Sequence, residues 1–273
     1  MKGDTYGTRQ VTNPGFIFTV GFPIILHGNF RNYVGGSGIK GAIFDTQKGK
    51  LITERYRIPT PNPATPDAVI ETIEAIIRKF DWQGPVGCGF QAAVKNEIVK
   101  TASNIDNSWI GVNASARIEK ETGCRTHLLN DVDAAGLAEL EFGAGQNRFG
   151  TVFMAAFGTG IGTAIFHNQQ LVPNTELGHI PMHGEPAENY AANSIRKKED
   201  LSWKKWGRRV NEYLQLVELL FWPDLIIMGG GVSKKIQKNE RYLDLQTEIV
   251  PAESRNHAGI IGAALAVSKD KLH

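Results

Sequence analysis

The chain alternates short apolar runs bounded by glycine with longer stretches at helical spacing. Ile39 to Phe44 alternates as a strand, a turn follows at Gln47–Lys48–Gly49, and Leu51 to Tyr56 reads as the returning strand of a hairpin. Pro59, Pro61, Pro63 and Pro66 make a stiff extended connector, and Pro66 after Thr65 suits a first helical position. Val69, Ile70, Ile73, Ile76, Ile77 and Phe80 recur at helical spacing, which predicts an amphipathic helix over 66–80. Val86 to Phe90, Ile98 to Thr101 and Thr126 to Leu129 predict short strands, and 134–142 a helix.

From Thr151 the order restarts: apolar Thr151–Ala156, a glycine turn, apolar Ile161–Phe166, a turn at Asn168–Gln169, then Leu171–Val172. A helix from Ser202 carries Trp203, Trp206, Val210, Leu214, Val217 and Phe221 on one face. Strand Leu225–Met228 runs into Gly229–Gly231, and Ala258 to Val267 is a final helix of small and apolar residues. The duplication predicts an α/β protein of two tandem β-β-β-α-β-α lobes.

Before this pattern stands Gly15 to Leu26, GFIFTVGFPIIL. It is too short to span a bilayer, carries Gly21 and Pro23, and has no small-x-small cleavage site after it. It reads as a buried strand or an apolar lead-in. The first ~32 residues otherwise hold no usable motif.

Composition changes little in this picture. A length of 273 residues allows one or two domains, and a formal charge of +2 points to neither nucleic acid nor a membrane surface. Cys88 and Cys124 are the two cysteines, in no CxxC pairing, which argues against a disulfide framework and fits a reducing cytoplasm.

Glycine clusters at 35–41, 158–162 and 229–231 lie between strands, where successive N–H groups can converge on an anion. Gly36, Gly38 and Gly41 satisfy GxGxxG, but a strand pattern follows instead of a helix, so the dinucleotide-binding reading fails its context. GxxxxGK[ST] does not occur.

The runs LLNDVDAAGLAELEFGAG at 128–145, FGTGIGTAIF at 157–166 and PNTELGH at 173–179 resemble the ROK sugar kinases, and within them the polyphosphate-using glucokinases and glucomannokinases. DLSWKKWGRRVNEYL at 200–214, PDLIIMGGGVSKK at 223–235 and NHAGIIGAAL at 256–265 extend the likeness. The resemblance implies two ribonuclease-H-like lobes of the actin/hexokinase type with an active-site cleft between them. The expected division is 1–131, completed by a C-terminal helix at 258–273, and 132–257. It also implies phosphorylation of glucose, or of mannose, at the 6-hydroxyl by polyphosphate or ATP, with Mg²⁺ screening the phosphates. A homodimer is compatible with it; a nucleic-acid or membrane partner is not expected.

Residue by residue, the resemblance makes Asp131 the general base on the sugar hydroxyl, a chemistry in which one placed base and donor-rich loops suffice. A turn or helix-cap carboxylate is the plainer reading of Asp131. Asn104, Asp106, Asn130, Glu176, His179 and Glu188 match sugar contacts, and Trp109 belongs to the same loop as Asn104. Gly35, Gly36, Ser37, Gly38 and Lys40 match the first phosphate loop, Gly158, Thr159 and Gly160 the second, and Gly229, Gly230 and Gly231 the stretch near a nucleotide. Many members carry CxCGxxGC after the histidine; here His183 to Ala187 holds no cysteine, so a structural zinc is not expected.

Arg196, Lys197, Lys198, Lys204, Lys205, Arg208 and Arg209, with Lys234, Lys235 and Lys238, read either as a solvated face or as a track for a linear polyanion. One departure stands out: where the family opens its first phosphate loop with DxGGS, this chain has Tyr33–Val34–Gly35–Gly36–Ser37. Phe30–Arg31–Asn32 is also a poor first strand, and Gln91–Ala92 replaces a Pro-Gly. Three readings of Tyr33 stay open: a weakened enzyme, a compensated metal site, or an altered N-terminal region. The rival functions are a sugar-binding protein that has lost donor chemistry, and an ATP-only hexokinase.

Overall fold

The computed structural model describes residues 15–20, 38–46, 48–102, 105–238, 240–254 and 258–268. In chain order the first half contains β1 (Gly15–Val20), β2 (Gly38–Asp45), β3 (Lys50–Leu51), β4 (Tyr56–Pro59), α1 (Pro66–Lys79), β5 (Val86–Phe90), β6 (Val94–Lys95), β7 (Ile98–Val99), α2 (Ala114–Thr122), β8 (Thr126–Asn130) and α3 (Asp131–Phe142). The second half contains β9 (Thr151–Phe157), β10 (Ile161–His167), β11 (Gln170–Val172), β12 (Pro181–Met182), β13 (Glu185–Pro186), α4 (Glu188–Ala191), α5 (Asn193–Lys198), α6 (Trp203–Phe221), β14 (Leu225–Gly230), β15 (Glu248–Pro251) and α7 (Ala258–Ser268).

The duplication read from the sequence is a duplication of sheets. The first has the order β3-β2-β1-β5-β8, with β4 also on β2; the second has β11-β10-β9-β14-β15. In each, an antiparallel three-strand meander continues into two parallel strands. β5 is buried along its whole length, as a central parallel strand covered on both faces must be.

Two helices join the halves. α7 packs on β1 and β5 of the first sheet and on α3, while α3 also packs on β10 of the second. Their shared core includes Phe44, Leu129, Leu137, Met154, Phe166, Ile260 and Ala263. α7 is apolar all round, as a helix buried on every side must be. α1 begins at Pro66 with Asp67 in its first turn and ends with Arg78 and Lys79, both favourable to the helix dipole.

One open reading is decided and two expectations change. Of the two readings of Gly15 to Leu26, Gly15–Val20 takes the strand, paired antiparallel to β2 and parallel to β5 as the first strand of the sheet; Phe30–Arg31–Asn32 and Tyr33 lie outside the described residues. The return strand predicted over Leu51 to Tyr56 is broken, because the Thr53 hydroxyl accepts the Ile43 N–H at 3.0 Å in place of a ladder bond. The helix predicted from Ala134 starts at Asp131, because the Asn130 side chain accepts the N–H groups of Val132 and Asp133 and caps it.

Candidate active site

Two cavities meet at the N-terminus of α3. The first, about 240 Å³, is walled by Gln91, Asn130, Asp131, the glycine turn Gly158 to Gly162, Glu176, His179 and Glu188. The second, about 440 Å³, is walled by Asp131, Gly230, Gly231, Lys234, and Ala258 and Gly259 at the start of α7. Asp131, Val132, Ala156 and Gly230 belong to both.

Local chain chemistry puts Asp131 there. β8 ends as Asn130 caps α3, so the next residue stands at the helix mouth with its carboxylate toward the cleft. Burial pushes its carboxyl up to about 6; a hydrogen bond from the Gln91 side chain works against the rise, and the negative charge of Glu176 adds to it. Gln91 is the residue the sequence reading missed, seen there only as a departure from Pro-Gly. Gln91→Leu removes that donor, so the acidic limb of a kcat-pH profile is expected to move to higher pH relative to the parent chain, with a stopped-time assay across pH as the check.

Glu176 follows β11 and leads into a 3-10 turn at Leu177–His179. Its carboxyl is raised above the ordinary range, first by burial and then by the charge of Glu188, with His179 opposing. Glu188 heads α4; its Oε2 accepts the Ile161 N–H at 3.2 Å and its Oε1 lies 3.3 Å from His179 Nε2. A Cβ at Gly160 would stand 2.1 Å from Glu188 Oε2, so glycine there is what lets the carboxylate reach the turn.

The other expected site residues are placed less simply. Asn130 lines the first cavity, yet its carbonyl oxygen is occupied by the helix cap and its amide nitrogen donates to Ala92 O at 3.3 Å. One amide proton remains for a ligand. Asp106 lines neither cavity; it caps a short helix by accepting the Ser108 N–H at 2.9 Å, and its Ser108 hydrogen bonds hold its carboxyl below the usual range. Trp109 is wholly buried, its ring 4.8 Å from Phe90 and its indole N–H donating to Ala64 O at 2.9 Å, so it anchors the loop instead of flanking a ligand. Lys40 and Gly38 sit on β2, outside both walls, with Lys40 registered against Thr19 and Arg57. Gly229 is buried within β14 against Met154, leaving Gly230 and Gly231 at the cavities. Asn104, Gly35, Gly36 and Ser37 lie outside the described residues.

The basic segments come together, with one subtraction. Ser194 donates through N–H to Gly158 O at 3.0 Å and through Oγ to Thr159 O at 2.5 Å, which ties the start of α5 to the glycine turn. The Trp203 ring holds Arg196 at 4.4 Å and Lys238 at 5.6 Å, bringing the 196–208 and 234–238 segments side by side. Lys197, Lys198, Lys204, Lys205, Arg208, Lys234 and Lys235 are exposed around them. Arg209 leaves the face: it bonds Tyr190 O at 3.1 Å and Glu199 at 2.7 Å and stacks on Tyr190. In the cysteine-free stretch from His183 to Ala187, His183 Nε2 lies 2.7 Å from Glu212, which also accepts the Tyr190 hydroxyl. Among the described residues no helix is long and apolar enough to cross a membrane.

Fold and cleft together define a two-lobed kinase-like architecture, and comparison with known proteins gives the family. The ROK family model matches residues 33–191, and the chain belongs to the ROK family. It is 46% identical over 263 residues to a polyphosphate glucokinase of Mycobacterium tuberculosis (strain CDC 1551 / Oshkosh), covering 96% of this chain and 99% of that protein. Among solved structures it is similar to the inorganic polyphosphate/ATP-glucomannokinase of Arthrobacter sp. strain KM, at 39% identity and a TM-score of 0.83, covering 94% and 99% of the two chains. A ROK glucokinase of Streptomyces griseus in complex with glucose and AMPPNP shares the fold at 21% identity and a TM-score of 0.74, covering 93% and 99%.

Proposed function

We propose that this chain phosphorylates glucose at its 6-hydroxyl with polyphosphate or ATP as donor, in the cleft between a lobe of residues 1–131 plus α7 and a lobe of 132–257. The observation that carries the reading is Asp131 on the wall common to both cavities. The first cavity, with the carboxylates of Glu176 and Glu188 and the ring of His179, suits a polyhydroxylated ring. Once covered by a sugar, polar groups of that kind reject a substrate lacking the matching hydroxyl, since they would be left unpaired. The second cavity, with N–H groups at the head of α7, the glycine turn 230–231 and Lys234, suits donor phosphates. Asp131 takes the proton of the attacking hydroxyl as its oxygen bonds phosphorus and the donor's bridging oxygen leaves with the electron pair. Mg²⁺ would arrive on the donor phosphates and offset their charge.

The exposed cations Lys197 and Lys198, on the helix whose Ser194 is tied to Gly158, together with Lys204, Lys205, Arg208 and Lys234, favour a polyphosphate chain among the donors. Replacing Lys204, Lys205 and Arg208 by alanine is expected to raise KM for polyphosphate about tenfold and to leave KM for ATP within about twofold, with the polyphosphate effect shrinking as salt is added. Equal loss with both donors would remove the track. A coupled assay for glucose 6-phosphate with either donor tests the function as a whole. Glucose binding without product from either donor would support a sugar-binding protein, and product from ATP alone a plain hexokinase.

A further inference from the structure

A buried carboxyl two residues from Asp131 has no part in the chemistry above. Asp133 is 1% exposed and lines neither cavity. Its Oδ2 accepts the Asn174 N–H at 2.8 Å, and its Oδ1 is buried with no hydrogen-bond partner. Asn174, in a left-handed turn with φ of 59°, points its carboxamide at the other half of the molecule. There its Oδ1 accepts the Val94 N–H at 2.8 Å and its Nδ2 donates to Val94 O at 2.7 Å.

Both ends of this connection lead directly to the cleft. Val94 opens the β6–β7 hairpin immediately after the cavity residues Gln91 and Ala92. Asn174 stands two residues before Glu176 on the facing wall. The segment between is pinned to β10, because Thr163 Oγ1 donates to Thr175 O and accepts the Leu177 N–H at 3.0 Å. A rotation of the lobes at the cleft would therefore have to break the Asn174–Val94 pair.

We propose that Asp133 and Asn174 are positioning residues for the sugar site: Asp133 fixes the backbone of Asn174, and the Asn174 carboxamide fastens lobe to lobe at Val94, setting Gln91 and Glu176 opposite each other. A carboxyl whose second oxygen is orphaned in the interior favours its neutral form. Burial raises Asp133 to about 7, opposed by the Asn174 N–H and reinforced by the charges of Glu176 and Asp131. An asparagine at 133 is thus a close mimic of the protonated group, with an oxygen left for the Asn174 N–H.

Asn174→Gly in the full chain is the direct test, since glycine keeps the left-handed backbone and removes only the carboxamide. Amide exchange at Val94 is expected to quicken about tenfold or more, while exchange in α6 stays unchanged and shows the fold intact. Resting on the glucose reading, the kinetic arm expects KM for glucose to rise about tenfold, with KM for the donor within about twofold. Asp133→Ala should act in the same direction, Asp133→Asn should recover most of that loss, and Asp133→Ala with Asn174→Gly should be no worse than the worse single variant. Unchanged Val94 exchange in Asn174→Gly, or glucose and donor KM rising together, would overturn the proposal. A parent chain that does not phosphorylate glucose would sink the functional reading, while the exchange arm would still decide the fastener.

Discussion

Asp131→Asn is expected to lower kcat for glucose phosphorylation by about 10²–10⁴, the usual worth of a positioned general base, with KM for glucose little changed. The amide keeps the shape of the carboxylate and loses only the ability to take the proton. Stability gives an independent check on that assignment. The folded carboxyl titrates near 6, above the ordinary aspartate value of about 3.9, so the folded state holds its proton where the unfolded state has released it. Stability attributable to this group therefore falls as pH rises from about 4 to about 6, and the cost is complete above that window. At neutral pH the variant should thus melt no lower than the parent, and higher if anything, while being nearly inactive. Loss of activity together with a fall in melting temperature would instead mean that Asp131 holds the structure. Initial rates and thermal melts on the same preparations decide this.

The other large effect is at the junction of the lobes. A Cβ at Gly262 would stand 1.5 Å from the carbonyl oxygen of Ala134, so α7 and α3 touch backbone to backbone. Neither partner is a flexible side-chain end that could swing away. Gly262→Val forces the helices apart and is expected to cost about 3 kcal/mol or more, a fall in melting temperature of about 6–12 °C for a chain of this size. Because α3 begins with Asp131, the separation also displaces the base, and activity should fall further than the folded fraction accounts for. Differential scanning calorimetry alongside initial rates measures both. A melting temperature within a degree or two of the parent would mean that the helices do not pack this closely.

Much of the fold was legible because the period-two runs and the helical stripes are long and repeat in the same order in both halves. The meander of 151–172 and the helices at 66–79 and 203–221 follow directly from apolar spacing. What could not be read was tertiary in origin. A Thr53 hydroxyl replacing a ladder bond shortens β3, and an asparagine cap advances α3 by a turn. The site divides in the same way. The glycine turns and the Asn-Asp and Glu-x-x-His spacings are local signals and could be seen. Gln91 could not, because its weight comes from meeting Asp131 across two strands. Asp106 and Trp109 look like ligand contacts by position, yet Asp106 Oδ1 already accepts the Ser108 N–H and the Trp109 indole N–H already donates to Ala64 O. Arg209 counts as a charge in sequence and as a half-buried bracket in space.

The central claim is that a hydroxyl deprotonated by Asp131 attacks a donor phosphate from within this cleft. Phosphorus NMR of the purified full chain with glucose, Mg²⁺ and either polyphosphate or ATP tests it most directly, because it reports the donor consumed and the oxygen that receives the phosphoryl group. The expected result is a monoester signal at O6 of glucose that grows with loss of donor signal and is nearly absent with Asp131→Asn. Donor converted to inorganic phosphate with no sugar ester, or a sugar ester formed equally well by Asp131→Asn, would contradict it.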